Sequence, residues 1–300
     1  MKKYQLITIS DWLGGAIKDG VELAPEIIKE LILSNFPKRY FANEILTVPI
    51  PTPNPRHLKG GYKKVKYLPE MKQICKKTKK EIAKSIYSNN IPIVLMSNDS
   101  CMIGVIAGIS SKVGSNYVLM WFDAHGDINT PETSPSGKIY GMALAHLLGY
   151  GHPELIELNG KKPSIKPENL VMFGQRALDK GEIEFIKKHK ISIYNSKQLN
   201  SKSTKEILDN IHSKFKGKNV KRLFIHLDLD VLDPVESPGV SMHEPDGLHP
   251  NKLLELLDNL IKKYKTNLGL SIASYNPTKD RDNKTKKIVQ EIIKTYLEKV

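Results

Sequence analysis

The sequence predicts an α/β protein of three layers, a mostly parallel sheet of about eight strands flanked by helices. Two observations predict it. Short apolar runs alternate with longer amphipathic stretches along the whole chain, the order that builds β-α-β units. Several of the short runs ("IVLM", "YVLMWF", "LFIHL") are apolar at every position, not every second one. That is the pattern of a strand covered by helices on both faces.

Taken in order, strands are expected at residues 4–9, 45–50, 92–97, 117–122, 169–174, 191–194, 223–228 and 268–273. Each is short, apolar and rich in β-branched or aromatic side chains. Between them, apolar residues recur at helical spacing over 24–33, 68–87, 183–189, 204–215 and 251–264, which predicts amphipathic helices. The Gly/Pro-rich stretches 51–61 and 236–250 read as long functional loops, since structureless segments of that length in a compact domain usually carry function. No repeat or linker divides the chain, so residues 1–300 are expected to form a single domain.

Composition narrows the function. At 40% hydrophobic and 26% charged the chain can bury a sizeable core. The opening "MKKYQLITISDWLGG" is too polar for a signal peptide, and no run approaches the ~20 apolar residues of a membrane span. Cys75 and Cys101 make no disulfide framework, which suits a cytoplasmic protein. The net charge of +14 comes almost wholly from lysine. Arginine stands only at Arg39, Arg56, Arg176, Arg222 and Arg281, and the lysines are spread over helix faces such as "KQICKKTKKEIAKS". Nucleic-acid readers rely on arginine forks and interleaved aromatics, so no nucleic-acid partner and no membrane partner is expected.

The chemistry lies where two strands end. "MWFDAHGDINT" (120–130) places Asp123, His125 and Asp127 on alternate residues after an apolar run. "FIHLDLDVLDP" (224–234) repeats the design with Asp228 and Asp230, then Asp233-Pro234. Alternate residues of an extended backbone project to one side. Carboxylates gathered without counter-charge repel and take up protons, and divalent cations relieve this. Oxygen ligands with one imidazole suit manganese or a similarly hard ion.

These motifs, "DAHGDINTPETSPSG" and "HLDLDVLDP", resemble the arginase/agmatinase/formimidoylglutamase (ureohydrolase) superfamily, and the resemblance runs from "GGAIKDGVELAPEII" to "LSIASYNP". It implies a hydrolase of non-peptide C–N bonds in linear amidines or guanidines, a small-molecule guanidino substrate, a homo-oligomer and two Mn(II) ions. By position, Asp123 and Asp228 would bridge the ions, Asp127 would complete one shell, and His125 and Asp230 the other. Asp127 would also move the proton. Asn129 and Ser136 would meet an amino acid's α-carboxylate, and Asp179 and Glu182 its amino group, which favours an arginine-like amino acid over agmatine.

The chain departs from the pattern in four places. Where the first metal motif supplies histidine, "MSNDS" supplies Asp99, expected to ligate through oxygen and leaving open whether one ion binds or two. Ser274 stands where a glutamate holds the guanidinium, which points towards less basic substrates such as a hydroxyguanidine or a formimino compound. Tyr140 replaces a relay histidine. The loop "PGVSMHEPDG" brings Met242, His243 and Glu244, of which His243 is a candidate for acid–base work. A member that has lost catalysis and only binds metal is the alternative these losses suggest.

Overall fold

A computed structural model describes residues 2–160, 162–216, 222–264 and 266–298. Eight strands form one sheet: β1 (Tyr4–Ile9), β2 (Leu46–Thr47), β3 (Ile91–Met96), β4 (Val118–Phe122), β5 (Leu170–Gly174), β6 (Ser192–Asn195), β7 (Arg222–Asp228) and β8 (Thr266–Ala273). Their order is β2-β1-β3-β8-β7-β4-β5-β6, and every ladder is parallel. The expected α/β class is therefore observed, with the sheet entirely parallel.

The apolar strands bury both faces by alternating between two cores. On one face Leu6, Leu95, Met120 and Ile225 pack against Ile28 and Ile32, Ile207 and Ile211, Leu253 and Leu257, and Val289 and Ile293. These come from the helices Ala24–Asn35, Thr204–Phe215, Pro250–Lys263 and Lys284–Leu297. On the other face Ile7, Val94, Leu119 and Trp121 meet Met71, Ile74, Val105 and Ile109, from Leu68–Tyr87 and Met102–Val113. Each large aliphatic side chain removed from water contributes roughly 1.5–3 kcal/mol, and both faces of every central strand are used.

Two of the differences from the sequence reading have a plain physical cause. The strand expected at 45–50 shrinks to Leu46–Thr47. It lies at the sheet edge, and Pro49 has no N–H to extend a ladder. The helix Met102–Val113 is not predicted by spacing, because "MIGVIAGI" is buried all round and so lacks the one-sided period that marks a helix.

In parallel sheets ligands gather beyond the carboxyl ends of the strands, near the point where the order of connection reverses. Here β8 and β7 are inserted between β3 and β4, and the acidic motifs follow three of those four central strands.

Candidate active site

Asp99 opens the turn after β3, Asp123 follows β4, Asp228 ends β7 and Ser274 follows β8. All three aspartates are buried. Register does the assembling: Trp121, His226 and Ser271 are Cα partners across β4, β7 and β8, so the motif strands end side by side.

The backbone turns out of each strand by using the acidic side chains themselves. Asp123 Oδ1 accepts from the His125 N–H (2.6 Å) and its Oδ2 from Trp121 Nε1 (3.0 Å). Asp228 Oδ1 accepts from the Asp230 N–H (2.8 Å), and Asp230 Oδ1 from the Ala124 N–H (3.0 Å). Ser274 Oγ donates to Asp228 Oδ2. Asp127 and Ser274 both sit at positive φ, 50° and 64°. Such non-glycine conformations cost about 1–3 kcal/mol and persist at sites that use the resulting aim.

Ligand atoms of Asp123, His125 and Asp230 lie within 4.8 Å of one another, as do those of Asp99, Asp123 and Asp127. Asp123 belongs to both groups. His125 Nδ1 faces Asp230 Oδ2 at 3.0 Å and Asp123 Oδ1 at 3.5 Å, while its Nε2 stands 3.6 Å from Glu244 Oε1. Asp127 Oδ2 and His125 Nε2 are buried without a hydrogen-bond partner. Unspent acceptors and a surplus of buried negative charge are what divalent cations require, so the residues fit two such ions. Asp99, Asp123, Asp127, Asp230 and His125 would hold them; Asp228, expected from its motif position to bridge the ions, belongs to neither group.

The electrostatics agree. Burial first, then the Asp230 and Asp99 charges, raise the Asp123 carboxyl to about 8. Burial and the neighbouring aspartates push Asp127 and Asp228 well above the carboxylate range. Burial also opposes the charged form of Asp230, but His125 and the Ala124 N–H outweigh it and hold Asp230 low. His125 is disfavoured as a cation by burial, yet Asp230 and Asp123 raise it.

Groups raised in the folded state bind more protons folded than unfolded, so they make stability fall as pH rises. Asp230 opposes only at acid pH. His146, which burial lowers to about 4, opposes up to about pH 6.5, a single group against the several raised in the cluster. The metal-free protein should therefore melt at lower temperature as pH climbs from about 5 to about 8, and saturating divalent metal should flatten that slope. Thermal melts across this window, with and without metal, check it. A metal-free melting temperature that rises to pH 8 would contradict this charge balance.

Asp99, Asp127, Asp228, Asp230 and His125 line a cavity of about 380 Å³, together with Asp19, Lys138, Tyr140, Ser241, Met242, Ser274 and Lys279, while Asp123 is buried and outside that lining. Tyr140 reaches Met242 Sδ at 4.0 Å. Burial and then the Asp127 charge raise its hydroxyl pKa, so it stays a proton donor. Asp19 Oδ1 is buried there without a hydrogen-bond partner.

Not every expected residue is brought in. His243 is exposed, with Nε2 2.9 Å from the Pro238 carbonyl, and it borders a separate depression with Pro234 and Arg281. Asn129, Ser136, Asp179 and Glu182 stand outside the cavity lining. Glu182 and Asp179 form a capping box for the helix Lys180–His189, and Glu182 Oε1 also accepts from the Ile128 N–H (3.2 Å). Asn129 Nδ2 donates to Asp179 Oδ2 (2.9 Å). "D-K-G-E" thus carries a helix-start signal beside any substrate role.

Two residues escape the sequence reading. Arg176 sends its guanidinium to the carbonyls of Gly174, Asp230, Val231, Leu232 and Glu244 and its Nε to that of Pro245, tying the metal loop to its neighbour. His226 lies under Asp99, with Nε2 2.7 Å from Oδ1. No spacing rule marks an arginine that binds only carbonyls, whereas His226 is visible as a polar residue inside an apolar strand.

Known proteins share this fold over the length of the chain. The arginase of Staphylococcus aureus (strain COL) is 34% identical over 291 residues, 94% of this chain and 93% of its own length. The native structure of Bacillus caldovelox arginase superposes with a TM-score of 0.90 at 28% identity, covering 99% of this chain and 98% of the other. Entamoeba histolytica arginase in complex with L-ornithine gives a TM-score of 0.86 at 28% identity, with 100% of both chains covered. Fold, acidic cluster and relatives define a metal-binding hydrolase of C–N bonds in linear amidines. The chain belongs to the Arginase family, whose sequence model matches residues 9–298.

Proposed function

We propose that this chain, acting as one arginase-like domain over residues 1–300, is a manganese-dependent cytoplasmic homo-oligomer that hydrolyses the guanidino group of an arginine-like amino acid. The observation that carries the reading is the convergence of Asp99, Asp127 and His125 with the β7 acids on one cavity wall, with Asp123 within ligand distance of Asp99, Asp127, His125 and Asp230. Two bound divalent ions supply an acidified water and offset the carboxylate charge.

The chain's own groups supply the rest. Asp127 Oδ2, unspent and buried, is placed to take and return the proton that moves during attack and amine departure. Tyr140 offers a hydroxyl donor from the cavity wall. Ser274 is committed to Asp228 and carries no charge, so it does not pair with a guanidinium. Asp19, with its unpartnered Oδ1 on the same wall, supplies the anion instead. Lys138 and Lys279 at that wall suit the α-carboxylate of an amino acid. Asn129, Ser136, Asp179 and Glu182, outside the cavity lining, are assigned to the amino-acid end. His243, turned away from the cavity, is not assigned a step.

The arginase names of the relatives, and the L-ornithine held by one of them, support an arginine-like substrate over a formimino one and over a catalytically silent protein. The test is urea or ammonia release with Mn(II) across arginine, N-hydroxyarginine, agmatine, guanidinobutyrate and formiminoglutamate. The α-amino acids bearing a guanidino group should be turned over, and silence on all five compounds would end the proposal.

The extra carboxylate at Asp99 favours hard ions. Metal analysis of the purified protein should find manganese or magnesium preferred; tight zinc or nickel in their place would refute that preference.

A further inference from the structure

We propose that His226 is a positioning residue for metal binding: it fixes Asp99 so that one carboxylate oxygen alone faces the ion on that side. The inference rests on the two-ion reading above. Position 99 is where the family's motif carries an imidazole, and here it carries a carboxylate. The structure returns an imidazole to the same spot from the next-but-one strand, behind the carboxylate and not in front of it.

The geometry is restrictive. His226 is fully buried, on the face of β7 that packs against Trp121, and the two ring centroids are 3.9 Å apart. An ionised carboxylate only accepts, so the 2.7 Å contact to Asp99 Oδ1 requires the proton on His226 Nε2. Nδ1 is then the acceptor, and it receives the Ser271 hydroxyl at 2.8 Å. Ser271 Oγ also lies 3.2 Å from Met102 Sδ, at the start of the helix behind the site. A chain Ser271–His226–Asp99 thus runs from β8 through β7 to the turn after β3. With Oδ1 held, Oδ2 is the oxygen left to Asp99, which shares a ligand group with Asp123 and Asp127. Outer partners of this kind orient ligands, and their loss typically weakens metal binding by about 10–100-fold.

Equilibrium Mn(II) binding, followed by the electron paramagnetic resonance of free ion and checked by elemental analysis, tests this on the full chain. Wild type should bind two ions. His226→Leu should weaken one of them by about 10–100-fold and leave the other unchanged. His226→Gln places an amide N–H near the former Nε2 and should recover most of that loss. Ser271→Ala keeps the imidazole but frees its tautomer, and should weaken the same ion by a smaller factor.

A folded His226→Leu protein that binds both ions as tightly as wild type would overturn the proposal. So would a His226→Gln protein as weak as the leucine variant, since packing alone would then account for the effect. If neither variant folds, Ser271→Ala decides, and unchanged affinity there rejects the idea. Wild type binding fewer than two ions would sink the two-ion reading itself, a result distinct from two tight ions that ignore His226.

Discussion

Replacing Asp123 by asparagine should lower hydrolysis by at least about a thousandfold, equivalent to roughly 4 kcal/mol of transition-state stabilisation, and should release metal. Asp123 is the one carboxylate common to both ligand groups, so its loss uncouples them together. Asparagine keeps the shape and can still accept at Oδ1 from the His125 N–H. Its amide cannot accept from Trp121 Nε1 where Oδ2 did, a cost of about 1 kcal/mol.

The opposite result is expected for the metal-free fold above pH 7. There the native carboxyl, raised to about 8 by burial and its acidic neighbours, must ionise among like charges, and asparagine escapes that. The metal-free variant should therefore melt no lower than metal-free wild type at pH 8. Enzyme assays, metal analysis and melts read all three effects. Retention of more than about a tenth of wild-type activity would remove Asp123 from the centre of the site.

Arg176→Ala should be the most destabilising single change near the site, by about 3–5 kcal/mol. The guanidinium satisfies carbonyls at the end of β5 and in two stretches of the connection after β7, and truncation takes the side-chain donor from every one of them. Burial first and then the surrounding acids act on its charge, with burial prevailing to lower its pKa. It remains a cation at any working pH. Because two of its acceptors are the Asp230 and Val231 carbonyls, the damage extends to the position of Asp230 and hence to metal. Lysine is a poor replacement, since a single ammonium cannot reproduce the planar fork. Chemical denaturation of the three proteins measures the ordering: wild type, then lysine, then alanine. An alanine variant within about 1 kcal/mol of wild type would show the fork to be dispensable.

How far a sequence can be read depends on what kind of pattern a feature leaves. The central strands are legible because a continuous apolar run as short as Val118–Phe122 fits little besides a strand covered on both faces. The clustered aspartates are legible because alternation and strand ends fix where a side chain points: Asp123 follows β4 and Asp228 ends the neighbouring β7. The helix Met102–Val113 is illegible for the converse reason, as burial on all sides erases its period.

The cavity lining mixes both cases. Tyr140, Ser274 and Asp99 are found through motif position. Asp19, Lys138 and Lys279 come from loops whose course no local rule dictates. His243 shows the limit from the other side: a residue type suited to the chemistry, in a suitable loop, turned outward by a bond to Pro238.

The strand order has a consequence for how the chain must be made. β8, supplied by residues late in the sequence, is wedged between β3 and β7 in the middle of the sheet. While a ribosome is still synthesising residue 265, the nascent chain already contains Asp99, Asp123 and Asp228, yet β3 and β7 have no partner between them. Their exposed apolar edges are a hazard for self-association until the last strand arrives. Closure of the sheet therefore waits for β8, and any shortened product lacking β8 should be captured by chaperones and hold no metal.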